Sequence, residues 1–206
     1  MSFIKSVKKI INNGQSRSIV LTGNVYDLFF DGTKYVPLMN YLSSQCKAAP
    51  TNSTKGILQA LFELNHPIKL VGESIEEIKS IWEVYHPNNP LEKRLEESNS
   101  NTTFALELLR QLTESNRRSI SKNNLLIMIE AADMLLPEEE ISRMSLQDRK
   151  RVSIVQDWFS DPEFMSAGDS IILISESRSG IHSRISKLPQ VVSVDVPLPS
   201  LETRTH

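Results

Sequence analysis

The chain has 206 residues and a formal net charge of -2, which gives room for one large hydrophobic core or two small ones. Hydrophobic residues make up 39% and charged residues 23%, an ordinary balance for a soluble globular protein, and the charge gives no global attraction to nucleic acid or anionic membrane. The single cysteine, Cys46, excludes an internal disulfide and favours a reducing compartment. The N-terminal segment has no apolar run that could serve as a signal peptide or membrane span, so we expect a cytoplasmic protein. No metal site is expected, because the histidines have no ligand spacing: His66, His86, His182 and His206.

The first predicted element is an amphipathic helix near residues 3–11, with its apolar side chains on one face and lysines around them. We assign residues 1–16 to this N-terminal helix and residues 17–206 to an α/β domain. Two interpretations of the helix remain open. It packs on the core or on a partner, or it lies on a membrane surface.

Apolar runs and helical stripes then alternate along the chain. The predicted strands are 18–22, 57–64, 124–130, 170–175 and 191–196. The predicted helices are 36–46, 75–85, 102–112 with Asn101 or Thr102 as N-cap, 146–159 and 181–187. The polar, proline-containing stretch 86–101 is predicted to be a surface loop.

This alternation predicts the fold class. Strands that alternate with helices form a mainly parallel sheet covered on both faces, so we expect an α/β, three-layer αβα sandwich with a five-stranded sheet. Ligands bind such sheets at the carboxyl ends of the strands, so the residues that follow each strand are the candidate site.

Three segments in this order resemble the α/β core of an AAA+ ATPase. Residues 125–135 resemble a Walker B strand and its end, residues 171–177 resemble the sensor-1 strand, and residues 194–204 resemble the last core strand with the Pro-Leu-Pro…Arg segment before the helical lid. The resemblance covers residues 18–204. It implies a P-loop NTPase fold without the helical lid in this chain.

The phosphate-binding loop of that family departs most from its pattern. A working loop is G-x-x-x-x-G-K-[ST], whose backbone N–H groups, lysine and hydroxyl hold the phosphates and Mg²⁺. Here Gly23 and Gly32 are too far apart, and Lys34 follows Thr33 instead of preceding a hydroxyl residue. Bulky residues at 28–30 would obstruct an anion nest, so we interpret Gly32-Thr33-Lys34 as a surface turn at a degenerate Walker A position.

The Walker B and sensor-1 positions also depart from the family. Glu130 stands where the family carries its Mg²⁺-linked aspartate, and Ala131 stands where it carries the glutamate that orients water, with Asp133 close behind. The sensor-1 asparagine is replaced by Glu176 or Ser177. A methyl group cannot position water and a carboxylate repels a γ-phosphate, so we expect no catalytic residue in this chain.

The resemblance therefore implies a non-catalytic AAA+-like module that serves oligomerisation, scaffolding or partner binding. The expected partners are other AAA+ subunits or a downstream AAA+ module, with protein clients, without membrane and without nucleic acid. No cofactor is expected here, and ATP and Mg²⁺ would be held by an adjacent module. Since residues 197–204 resemble the segment before a lid, we expect an N-terminal fragment of a longer protein. Arg184 and Lys187 lie where the family places inter-subunit arginines, although the interpretation as two solvated surface cations is favoured.

Three other functions remain open. The first is a nucleotide-binding or weakly active ATPase module. The second is a DNA-transaction subunit similar to a clamp-loader arm, which would use the basic residues Arg117, Arg118, Lys122, Arg149, Lys150 and Arg151. The third is a metal-dependent nuclease built on the carboxylates Glu130, Asp133 and Glu176. We expect Tyr26, Phe29 and Phe30 to lie in the core. If they lay outside it, they would form an apolar patch suited to binding a partner.

Overall fold

The computed structural model describes residues 3–46, 56–72, 74–120 and 123–198. The helices are α1 (Phe3–Asn13), α2 (Leu38–Cys46), α3 (Ser74–Tyr85), α4 (Leu91–Ser98), α5 (Thr102–Arg118), α6 (Ala132–Leu135), α7 (Leu146–Ser160), α8 (Pro162–Ser166) and α9 (Ser183–Ser186). The strands are β1 (Ser18–Gly23), β2 (Leu28–Phe30), β3 (Tyr35–Pro37), β4 (Ile57–Phe62), β5 (Lys69–Leu70), β6 (Asn124–Ile129), β7 (Ser170–Ile174) and β8 (Val191–Val196).

The central sheet has the order β5-β4-β6-β7-β1-β8. The five predicted strands pair in parallel, and β5 adds a short antiparallel edge to β4. The predicted α/β class with a mainly parallel sheet is therefore confirmed, and the predicted count of five becomes six. The two residues of β5 are too few to show a strand pattern in the sequence.

The inner strands are largely apolar because both of their faces are covered. Along β7, Ile171 and Leu173 join the larger core cluster, while Ile172 and Ile174 join the second one. Helices α3, α5 and α7 pack on the larger cluster, and α1 and α2 pack on the second. Burying both faces removes the polar alternation that a half-exposed strand would show.

Helix α1 packs inside the chain. Its apolar face joins the second core cluster, with Val7 fully buried, and the helix contacts β8 and α2. Of the two interpretations of the N-terminal helix, the structure shows packing on the core. Within the described ranges, none of the helices is both long and apolar enough to cross a membrane.

The stretch 86–101 was predicted to be a loop, and this prediction is wrong. It contains α4, which begins directly after Pro90. Leu91 is only 1% exposed and Leu95, one turn later, packs against the same core cluster. The prolines and asparagines around this helix favoured a loop, and the only helical signal was one short apolar i, i+4 pair, Leu91 and Leu95.

A second correction concerns residues 28–37, of which 28–34 were interpreted as part of the loop after β1 and 36–37 as the start of a helix. They form an antiparallel hairpin in which β2 pairs with β3. Each strand has three residues, which is too short for a recognisable period-2 pattern. The hairpin stands between β1 and α2, where the degenerate Walker A position was expected.

The helix ends follow ordinary capping chemistry. The predicted cap Asn101 accepts a hydrogen bond from the backbone N–H of Phe104 at 3.0 Å. Ser145 accepts one from the N–H of Asp148 at the start of α7. Both side chains satisfy a helix N–H that would otherwise lack a partner. They fix where α5 and α7 begin.

Candidate site at the carboxyl edge of the sheet

The turn after β1 is held closely by its two neighbouring strands. Gly23 donates its N–H to the carbonyl of Glu176, at 3.1 Å, and Asn24 donates to the carbonyl of Val196 at 2.9 Å. Gly23 has a φ of +91°, and a Cβ there would lie 2.5 Å from an oxygen of Asp195. Glycine is required at this position by close packing against β8. The N–H groups that would face a phosphate in an anion nest are bonded to backbone carbonyls instead.

The residues Gly32, Thr33 and Lys34 form the tip of the β2–β3 hairpin. The carboxylate of Asp31 accepts hydrogen bonds from the N–H of Thr33 at 2.8 Å and from that of Lys34 at 2.9 Å. These two bonds and a third from the Thr33 hydroxyl lower the pKa of Asp31. The side chain of Asp31 thus closes the turn. Its carboxylate accepts hydrogen bonds from the backbone N–H groups that a phosphate-binding loop would direct at a phosphate.

The Walker B position lies at the end of β6. The N–H of Glu130 donates to the carbonyl of Phe62 at 2.9 Å, which extends the sheet by one residue. Ala131 has a left-handed backbone, φ +52°, and precedes the single turn of α6, which carries Asp133. Burial, followed by the charge of Glu63, raises the pKa of Glu130.

The sensor-1 position lies at the end of β7. Glu176 contributes its carbonyl to Gly23, and its side chain is exposed. The hydroxyl of Ser177 accepts a hydrogen bond from the N–H of Gly180, at 3.1 Å, and so caps the 3-10 turn Arg178–Gly180. The side chain of Ser177 is used for local structure.

The structure brings the predicted carboxylates together near the phenol of Tyr26. Its pKa is raised by burial and then by the charges of Asp133, Glu176 and Glu130. Three carboxylates at this edge of the sheet disfavour a phosphate group bound beside them. Among the described residues, no group of three histidine, cysteine, aspartate or glutamate side chains is arranged to hold a metal ion.

Tyr26 and Phe30 were expected in the core, and for both the prediction is wrong. Tyr26 is 65% exposed and Phe30 is 55% exposed, whereas Phe29 is partly buried against the second core cluster. Tyr26 precedes the hairpin, and for Phe30 and Phe29 the register of the hairpin explains the difference. Leu28, Phe30 and Tyr35 alternate with Phe29 and Val36, so that the first three face solvent and the last two face the core.

This arrangement creates an apolar surface that the sequence did not reveal as such. We call it the hairpin face, and it consists of Leu28, Phe30, Tyr35 and Pro37. The rings of Phe30 and Tyr35 are 5.4 Å apart across the two strands. A hairpin that is apolar on both faces but packed on only one is a typical sign of a protein interaction site.

The basic residues of the DNA alternative are mostly paired within the chain. Arg117 pairs with Asp161 and Glu163, Lys150 with Glu107, and Arg151 with Asp148. Lys122 lies outside the described residues. Charges that are already neutralised by neighbours offer little attraction to a phosphate backbone.

The two predicted inter-subunit cations lie at α9. Arg184 is exposed within this helix, and Lys187 is its C-terminal cap. The last predicted segment, residues 197–204, is described only through Leu198, and its remainder lies outside the described residues.

A parallel sheet with helices on both faces and its candidate site at the strand ends defines a Rossmann-like α/β domain. The family model "AAA+ chaperone, N-terminal Rossmann-like domain" matches residues 2–197, and the chain belongs to this family. The resemblance to AAA+ proteins is therefore confirmed. No curated protein matches the chain in sequence.

The fold is shared with a chain of the E. coli MS115-1 structure described as a HORMA:CdnC:Trip13 complex. The two chains are 12% identical, with a TM-score of 0.57, and the match covers 97% of this chain. It covers 54% of the other chain, so this chain spans about half the length of its structural relative. At this identity the likeness supports the fold, and the function must come from the site.

Proposed function

We propose that the chain is a non-catalytic AAA+-like module that binds protein partners within a larger AAA+ ATPase. The single observation that carries the proposal is the turn after β1, whose N–H groups at Gly23 and Asn24 are bonded to neighbouring strands. A phosphate nest needs such groups free and convergent. The family name, an N-terminal domain of AAA+ chaperones, agrees with a module of a longer protein.

The charges of the site support the same proposal. Glu130, Asp133 and Glu176 follow the neighbouring strands β6 and β7 at this edge of the sheet, so a triphosphate bound there would meet carboxylates where an ATPase offers cations. Ala131 supplies no group that could orient water. ATP and Mg²⁺ do not fit these residues, and we assign nucleotide hydrolysis to an adjacent module.

Partner binding is supported by the hairpin face. Three side chains that are each more than half exposed, Leu28, Phe30 and Tyr35, lie on one side of a rigid hairpin. Each aromatic side chain of the face exposes roughly 100 Å². The apolar area of the whole face therefore approaches that of the largest exposed apolar patch on a typical monomer. Contact with another protein would remove this surface from water.

Calorimetric titration with ATP and ADP, each with and without Mg²⁺, tests the absence of a nucleotide site. We expect neither heat of binding nor thermal stabilisation at millimolar nucleotide, because no donors converge on a phosphate position. The variant Glu176→Gln, which removes one repelling carboxylate, should behave in the same way. Micromolar binding would contradict the proposal and favour a nucleotide-binding module.

Replacement of Phe30 by serine tests the hairpin face. We expect the variant to lose most of the binding of an apolar fluorescent dye and most of any self-association, measured by sedimentation. The free energy of unfolding should change by less than about 1 kcal/mol, because the side chain is exposed. The matched control is Val84→Ser on α3, where the valine is 70% exposed outside the hairpin face. Equal loss of dye binding in both variants would show that the hairpin face is not a distinct interaction surface.

A further inference from the structure

A groove lies between α7, α9 and residues 138–145. It consists of an inner cavity of about 210 Å³ and an outer cavity of about 430 Å³. Ile141, His182 and Arg184 line both, so the two cavities are continuous. The lining of the groove includes Arg184, which lies where the AAA+ family places an inter-subunit arginine.

Five side chains that can donate hydrogen bonds line the inner cavity: Arg149, Ser153, Gln156, His182 and Arg184. His182 is 3% exposed, and its Nδ1 accepts a hydrogen bond from the backbone N–H of Arg184 at 3.2 Å. In the neutral ring, Nε2 then carries the proton, and within the described part of the chain this atom has no hydrogen-bond partner. The guanidinium of Arg184 makes no ion pair with any described residue, and that of Arg149 uses only Nε, toward the carbonyl of Met144.

The floor of the inner cavity is apolar. Met144 and Val152 are buried there, 3% and 4% exposed, and Ile141 lies at the boundary with the outer cavity. An apolar group in the cavity would cover these side chains and be removed from water itself. The cavity thus combines apolar surface with two guanidinium groups and an imidazole N–H.

The acidic residues of the groove lie on its outer side. Glu138, Glu139 and Glu140 line the outer cavity and do not line the inner one. Glu138 accepts a hydrogen bond from the N–H of Ser183, and Glu140 pairs with Arg143 at 3.6 Å. The inner cavity thus presents two guanidinium groups, those of Arg149 and Arg184, that make no ion pair with a described residue, and these favour an anionic ligand group.

We propose that the groove binds the C-terminal carboxylate of a partner polypeptide whose last residue is apolar. A volume of about 210 Å³ suits one amino-acid side chain with its carboxylate and is smaller than a typical small-molecule site. Donors and apolar floor share this volume, so the carboxylate and the apolar group must belong to one residue. A C-terminal apolar residue carries both. An internal aspartate or glutamate would leave the floor uncovered.

The inference rests on the proposed role in partner binding and is tested separately from it. N-acetyl-leucine is the probe, since it reproduces a C-terminal leucine, and its binding to the full chain is followed by calorimetry and by the methyl resonance of Met144. We expect a dissociation constant on the order of 1 mM, as for a ligand of this size with a charged contact. Nucleotide plays no part in this titration, so its result is independent of the nucleotide experiment.

Arg184→Gln should weaken the binding about tenfold, the usual cost of one hydrogen bond to a charged group. Lys187→Gln is the matched control, because it removes the same charge three residues later from a side chain that does not line the groove. Both residues are exposed, so neither change should impair folding.

Two further ligands identify what is recognised. N-acetyl-leucinamide lacks the carboxylate and should bind at least about tenfold more weakly. The α-amide of N-acetyl-aspartic acid presents only a side-chain carboxylate and should be equally weak. Equal binding of the leucinamide would overturn recognition of a carboxylate, and equal binding of the aspartate amide would overturn the C-terminal assignment. Absence of binding at about 10 mM N-acetyl-leucine would overturn the proposal as a whole.

Discussion

Replacing Trp158 with alanine is expected to lower the free energy of unfolding by about 3–5 kcal/mol, the usual cost of removing a large buried aromatic side chain. Trp158 is 1% exposed, and its ring lies 6.1 Å from that of Phe159 and 6.0 Å from that of Phe164. Its indole N–H donates to the hydroxyl of Thr113 at 3.1 Å, which connects α7 to α5. Alanine would leave a cavity and remove the hydrogen bond between α7 and α5, while the Thr113 hydroxyl would keep its bond to the carbonyl of Arg110. Since whole domains have a stability of about 5–15 kcal/mol, the loss is a large fraction of the total.

Chemical denaturation followed by circular dichroism measures this effect. Trp158→Phe keeps most of the apolar volume and should cost clearly less than alanine. Leu146→Ala is the surface control on the same helix, because Leu146 is 76% exposed, and it should change the stability by less than about 0.5 kcal/mol. A loss for Trp158→Ala as small as that of the control would contradict the packing of α5 against α7.

Replacing Asp169 with asparagine is expected to remove a pH dependence of stability. Burial raises the pKa of Asp169 from 3.8 to about 6, although hydrogen bonds from Leu125 and Asn116 and the charges of Arg117 and Arg17 act in the opposite direction. The folded state holds the proton of Asp169 more tightly than the unfolded state does. The stabilising contribution of this group to the free energy of unfolding is therefore fully present below about pH 4 and is lost as the pH rises through about 6. A shift of this size corresponds to roughly 3 kcal/mol.

Unfolding by urea between pH 4 and pH 8 measures the effect as the difference between the parent chain and the variant. Asparagine keeps an oxygen that can accept from the N–H of Leu125, where the present distance is 2.7 Å. The variant should match the parent at pH 4 and exceed it at pH 8. Asp157→Asn, which alters an exposed carboxylate, should leave the pH profile unchanged. A variant that is less stable than the parent at pH 8 would mean that the charged form of Asp169 stabilises the fold.

The central sheet was predictable because its signal is strong within each strand. Residues 125–129 and 171–174 are continuous apolar runs, and only a strand covered on both faces or a buried helix has this composition. The elements that were missed have the opposite property. Lys69–Leu70 and Leu28–Phe30 contain too few residues for any periodicity. The first pairs with the preceding strand β4, and the second pairs with β3 across a turn closed by Asp31.

The candidate site was only partly predictable. The sequence places Glu130, Asp133 and Glu176 after strands, and the topology of the sheet is enough to bring them to one edge. The role of Gly23 could not be read in this way, because the atoms that exclude a side chain there belong to Asp195 and Val196 of β8. Packing between distant segments leaves no local pattern.

The same limit applies to the groove beside α9. Arg184 was recognised as an exposed cation next to the sensor-1 strand, yet its apolar neighbours Met144 and Val152 come from a segment about 40 residues earlier. The sequence contains each of these residues without a sign that they share one cavity. Only the packing of α9 on α7 brings them together.

The aromatic contacts of α1 have a consequence for the hairpin. The rings of Phe3 and Tyr41 lie 5.9 and 5.5 Å from that of Phe29, which points inward from β2. Phe3 and Tyr41 belong to α1 and α2, so these two helices form the base on which the hairpin stands. The orientation of the exposed aromatic side chains is therefore set by the first turn of the chain. A displacement of that N-terminal turn would move Phe29 and, with it, the exposed side chains on the opposite side of the hairpin.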